Sequence, residues 1–194
     1  MADKSISSRT TPRPYRVRGG NDFQYARFEE STCVSTATIQ YGNVVQFDVN
    51  VGSAAHRIVK SSTMANVPNV LSSAFLGIAV ENSTSDGSTT GLLSSGVGIP
   101  TPNNKTLLVC LATPNTEFLF PTKSSVVTST CLGTRRALAY DSTLGIFYVD
   151  IANSTAGDAT VIITEVPEPG NDANNPVVVK FLSTATARLV SAAF

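Results

Sequence analysis

From about residue 39 onward, polar and apolar residues alternate along most of this chain. Within residues 39–51, Ile39, Tyr41, Val45, Phe47, Val49 and Val51 fall on one face, and Gln46, Asp48 and Asn50 on the other. A repeat of two puts successive side chains on opposite sides of an extended backbone, so this stretch reads as a half-buried antiparallel strand. The same test predicts strands at residues 57–60, 74–81, 91–99, 106–113, 117–120, 125–128, 136–140, 145–151, 160–166, 177–183 and 185–190. Turn-forming residues separate them: Asp86-Gly87, Pro100-Thr101-Pro102-Asn103-Asn104, Asp141-Ser142, Ala156-Gly157-Asp158 and Pro167-Glu168-Pro169-Gly170-Asn171-Asp172. Phe118 and Phe120 flank Leu119, which predicts packing on both faces of their strand. Short strands joined by polar turns predict an all-β fold, a single β-barrel or β-sandwich domain of antiparallel strands over residues 35–194. Helical period is nearly absent; residues 22–30 and 69–74 could each form a turn or two.

The first 34 residues break the pattern. No strand or helix period precedes residue 22, Pro12 and Pro14 favour extended backbone, and Gly19-Gly20 offers a hinge. The chain is neutral overall, yet residues 1–28 hold Lys4, Arg9, Arg13, Arg16, Arg18 and Arg27 against Asp3 and Asp22, a surplus of four positive charges. The expectation is an extended basic N-terminal arm, with a reach of roughly 90 Å over 28 residues, on a mildly acidic body. Fixing each backbone unit costs roughly 1–2 kcal/mol, so the arm is expected to order only beneath a partner's surface. Arg9, Arg13, Tyr15, Arg16 and Arg18 are the expected partner-binding residues. Only Tyr15 supplies an aromatic ring among these arginines, which argues against nucleic acid as the partner.

Composition sharpens the picture. Of 194 residues, 42% are apolar and only 14% charged, against about 25% charged in ordinary soluble domains. Ser and Thr carry the polarity instead, and Thr with Val favours a pleated, half-buried surface. The N-terminus lacks the apolar core of a signal peptide, and no apolar run approaches the 18 residues of a membrane helix. A chain made in a cytoplasm, with no membrane partner, is the expectation.

Catalytic patterns are sparse. Cys33, Cys110 and Cys131 form no CxxC pair and are odd in number, which argues against a disulfide framework or a zinc site. Cys110, within Leu107-Leu108-Val109-Cys110-Leu111, is expected to be a buried small hydrophobe. His56 is the single histidine, so multi-histidine metal centres are excluded. No GxSxG, HExxH or P-loop pattern occurs, and Gly96-Val97-Gly98 lacks the third glycine of a dinucleotide fingerprint. Glu29 and Glu30 are adjacent, and the other carboxylates read as scattered through turns. The expected protein has no catalytic residue, cofactor or metal. Absence of Trp weakens a sugar-binding reading, and an Asp/Glu hydrolase ranks below that.

Several segments carry a resemblance: Gly42-Asn43-Val44-Val45, Phe75-Leu76-Gly77-Ile78-Ala79, the stretch from Leu111 through Pro114 to Phe118, and Gly133 ahead of Arg136-Ala137-Leu138. In these the chain resembles the small β-barrel cement, or decoration, proteins of tailed-phage heads, over about residues 35–190. The resemblance implies a mobile N-terminal arm on a compact β body. It also implies a virion protein on the capsid surface, bound during or after capsid expansion and bridging major capsid protein subunits, often as a homotrimer. Under it, Arg9, Arg13, Arg16 and Arg18 reach acidic groups or carbonyls of the shell. A tail-tube or other virion β-protein is the nearest alternative; a receptor- or carbohydrate-binding module is the alternative of a different class.

Overall fold

Wherever Val, Ile, Phe and Thr alternate with polar residues, the described chain is extended and paired. The computed structural model describes residues 11–20, 22–30, 39–47, 57–60, 75–82, 84–85, 105–123, 127–141, 144–154, 159–167, 169 and 175–182. Among them run β1 (Arg13–Val17), β2 (Tyr25–Glu30), β3 (Val44–Phe47), β4 (Arg57–Lys60), β5 (Phe75–Ala79), β6 (Thr84–Ser85), β7 (Lys105–Leu111), β8 (Thr116–Phe120), β9 (Arg135–Asp141), β10 (Ile146–Asp150), β11 (Val161–Glu165) and β12 (Val177–Phe181), with a 3-10 turn at Ser129–Cys131. The fold is all-β.

The strands form two six-stranded sheets. Sheet A has the order β1-β8-β12-β11-β9-β10, and sheet B the order β2-β4-β3-β5-β7-β6. Among the described residues every pairing between these named strands is antiparallel except the two-residue parallel contact of Glu29 and Glu30 with Arg57 and Ile58. Because β2 also pairs with β7 from Tyr25 to Glu29, sheet B curls back on itself. The chain crosses from sheet B to sheet A at Thr113-Pro114-Asn115-Thr116, a tight turn closed by the Thr116 N–H on the Thr113 carbonyl at 3.1 Å.

A shared core lies between the sheets. Val44, Phe75, Ile78 and Cys110 from sheet B meet Phe118, Phe120, Leu138, Phe147, Val161, Val177 and Phe181 from sheet A. Phe181 touches the rings of Phe75, Phe118 and Phe120, with centroids 5.5–6.2 Å apart. A second, smaller core of Phe28, Ile39, Val45, Leu76, Ala79, Leu107 and Val109 fills the curl of sheet B. One extra residue decides which core each β5 side chain enters. Opposite the single step Val45 to Gln46, β5 takes two steps, Gly77 to Phe75, so Leu76 is a bulge. Past the bulge the alternation changes phase, and Phe75 and Ile78 reach the shared core while Leu76 and Ala79 reach the other. At Gly77 the strands approach so closely that a Cβ would lie 2.0 Å from the Cys110 carbonyl oxygen, so only glycine fits.

Several expectations are corrected. Residues 13–17 have no alternating apolar pattern but form β1, because the partner strand β8 supplies the hydrogen bonds. Within the expected arm, residues 13–17 and 25–30 therefore pair with strands of the body's own sheets. Residues 25–30 form strand β2, not helix, because β7 pairs with five of them. The predicted strand at 39–51 begins at Val44, after a turn in which the Asn43 N–H meets the Gln40 carbonyl; Tyr41 is consequently exposed. Gln46, expected on the polar face, is 1% exposed, because β3 has a core on each side. Residues 127 and 128 are not strand, while β6 occurs where none was expected. The predicted strands at 91–99 and 185–190, the helical turn at 69–74, residues 48–51, and His56, Cys33 and Arg9 lie outside the described residues.

Candidate functional site

The described part of the basic segment leads to one cluster on the outer face of sheet A. Arg13 pairs with Leu119 and Pro14 with Phe118, and then Arg16 pairs with Glu117, so Tyr15 is an extra residue bulged out of β1. A second bulge sits two strands beyond β8. Ile163 pairs with Val179 and Glu165 with Val178, leaving Thr164 extra on β11. A bulge turns consecutive side chains toward one side of a sheet. Here Arg16 from one flank and Thr164 from the other meet Glu117, and Tyr15 meets Glu165 beside it.

Glu117 is a charge inside the protein: its side chain is 0% exposed. Arg16 Nε donates to Glu117 Oε2, and Arg18 Nε donates to Glu117 Oε1 at 2.6 Å. Arg16 then crosses β8 and β12 to place Nη2 2.6 Å from Glu165 Oε2 on β11. The Tyr15 hydroxyl donates to the other oxygen of Glu165 at 3.4 Å, and the Arg16 guanidinium lies 5.3 Å from the Tyr15 ring centre. Beyond β1 the ladder extends by one bond, from the Arg18 N–H to the Asn115 carbonyl at 3.0 Å.

Burial by itself pushes the Glu117 carboxyl up. Hydrogen bonds from Arg16, Thr164 and Arg18, with the Arg16 charge, outweigh it and hold the group below the usual carboxylate range. The bond to Glu117 likewise raises Arg16 above its ordinary value. Two carboxylates and two guanidiniums make the cluster neutral, and both Glu117 oxygens are occupied. Such a site is built to hold β1 in place. A buried pair need not stabilise a fold relative to an apolar substitute, but removing one side leaves an uncompensated charge and costs several kcal/mol.

Two further polar sites are smaller. Lys123 Nζ meets Asp141 Oδ2 at 2.5 Å, 5.5 Å from the Tyr148 ring centre, and Asp141 Oδ1 accepts the Leu144 N–H at 3.1 Å, which fixes the β9–β10 hairpin. On sheet B, Glu81 Oε1 accepts from Arg27 Nη1 at 2.6 Å and from the Leu108 N–H at 2.8 Å, both near the surface. Close to it lies an aromatic patch. Tyr25 and Tyr41 are 48% and 42% exposed, Phe23 packs 6.1 Å from Tyr25, and the Tyr41 N–H is held by Asn82 Oδ1 at 2.8 Å. Burial, then Cys110 and Tyr41, raise the Tyr25 hydroxyl above its ordinary value. The Cys110 thiol, fully buried as expected, is pushed by burial up to about 12.

Of the expected partner-binding residues, the structure brings Tyr15, Arg16 and Arg18 together, around acidic groups of the same chain. Arg13 is exposed on the same strand and forms no ion pair with a described residue. The sequence reading missed Glu117 and Glu165, which lie in strands β8 and β11 rather than in turns. The available signal was an acidic residue inside each of two predicted strands, in a chain with a basic segment to match them. No protein-family model, no curated protein and no solved structure matches this chain.

Proposed function

We propose that this chain is a virion structural protein, a cement subunit that binds the outer face of a phage capsid lattice and bridges major capsid protein subunits. The observation that carries the reading is the Glu117 cluster, which ties the basic segment to the body. Arg9 is four residues upstream of β1, so its Cα lies within roughly 13–14 Å of a fixed anchor. A load on that contact passes into sheet A through the β1–β8 ladder and the buried charges. The low charge of the chain and its Ser/Thr-rich surface suit a protein packed among many copies. Three linked copies would turn individually weak contacts into strong binding through effective concentration, and binding only the mature lattice would stabilise it by mass action.

The test is binding of purified protein to expanded shells that lack it, comparing the full chain with one starting at Thr11. That truncation removes Lys4 and Arg9 while keeping β1. Saturable binding that raises the shell's disruption temperature, and weakens in the truncated chain or with added salt, is the expected result. No binding by the full chain overturns it. The exposed Tyr25–Tyr41 patch beside Asn82 favours a second reading, a glycan-binding module. Under that reading Tyr25→Ala abolishes glycan binding and leaves shell binding unchanged.

A further inference from the structure

β1 has an unusual place in the chain. Among the described residues it is the edge strand of sheet A, with β8 as its single strand partner, while the next strand, β2, belongs to sheet B. No ladder downstream of β1 therefore depends on which molecule's β1 occupies the slot. The connection between the two strands contains Gly19 and Gly20 at φ +92° and +76°, and nothing lies within 4 Å of where a Cβ would be on either. Such a joint can rotate without breaking packing.

The slot itself resists standing empty. Glu117 is fully buried and takes its compensating charge from Arg16 and Arg18, both on the segment that would move. Departure of β1 alone would break both ion pairs of Glu117 and leave the β8 edge without its ladder. Replacement by an identical β1 would restore every contact. Thr11 and Pro12 would travel with the strand: they pack over Gly42 of sheet B, where a Cβ would lie 2.1 Å from Thr11 Cγ2.

We propose that β1 is an exchangeable strand. Pivoting at Gly19-Gly20, residues 11–18 leave their own sheet and fill the same slot beside β8 of a second copy, where Arg16 and Arg18 close on that copy's Glu117. The closed and exchanged forms have the same contacts, so protein concentration and hinge geometry decide between them. The six residues from Gly19 to Gln24 span at most roughly 20–22 Å when extended, which sets how near the second copy must lie. This exchange is a property of the chain alone, and its failure would leave the shell-binding reading standing.

Complementary charge reversal tests it with full-length chains. One variant carries Arg16→Glu and Arg18→Glu and the other Glu117→Arg and Glu165→Arg, so neither can close on itself but each strand matches the other's slot in charge. Mixing is expected to yield a one-to-one complex of twice the chain mass by light scattering, absent from either variant alone. A third chain with all four changes controls for tolerance: if it folds as a monomer and the mixture gives no complex, the proposal is overturned. If that control does not fold, deletion of Gly19, Gly20 and Asn21 from the native sequence decides, because shortening a hinge loop strains the closed form and favours the exchanged one. A dimer supports exchange; a monomer or an unfolded aggregate overturns it.

Discussion

Two consecutive strands, β1 and β2, are held to the body in opposite ways. β2 lies between neighbours, with β7 on one side and β4 on the other, and buries Phe28 in the core of sheet B. Its ion pair, Arg27 with Glu81, lies at the surface with both side chains more than a third exposed. Among the described residues β1 has one neighbour, and its ion pair ends on a carboxylate whose side chain is 0% exposed. The same chemical pair is therefore incidental in one strand and decisive in the other, because the cost of breaking it depends on what the surviving charge is left facing.

The largest effect expected from this contrast is in β2. Phe28→Ala should lower stability by about 3–5 kcal/mol through lost burial and the remaining cavity, read as a shift of the urea midpoint. In β1, joint replacement of Arg16 and Arg18 by Ala should cost about 2–3 kcal/mol, below the figure for fully buried pairs because both guanidiniums face solvent on one side. A cost below about 0.5 kcal/mol, the ordinary range for surface substitutions, would place the holding force of β1 in its ladder alone.

Acid should act on β1 before β2. Glu117 is held below its unfolded value, so its contribution is fully present above the ordinary carboxylate pKa of about 4.3 and is lost as pH falls through the depressed folded value. Hydrogen exchange at the β1 amides should accelerate in that acidic window while the β2 amides stay protected. Glu117→Gln should remove this selective step, and its persistence would assign the acid response to another group. The smallest effect belongs to Arg27→Ala, expected to cost under about 1 kcal/mol and to lose even that in high salt.

Much of the architecture was legible in the alternation of residues. Strands were expected at β3, with an earlier start, and at β4, β5, β7, β8, β9, β10, β11 and β12 from short apolar-rich stretches between turn-forming clusters, and Cys110 was expected to be buried because its neighbours are apolar. β1 and β2 were not legible. Arg13-Pro14-Tyr15-Arg16-Val17 carries no strand period, since an edge strand with a bulge and a solvent-facing row of arginines takes its regularity from its neighbour. Gln46 misled in the other direction: alternation assumes one wet face, and β3 has none.

The sequence by itself determined the all-β class, the position of most strands, the burial of Cys110 and the concentration of positive charge near the N-terminus. These follow from local period and composition, which act over a few residues. The tertiary structure alone decided that Arg16 and Arg18 face Glu117, roughly a hundred residues away, and that bulges at Tyr15 and Thr164 aim Arg16 and Glu165 at each other. Register and bulges are set by how two strands match along their length, and no single strand contains that information.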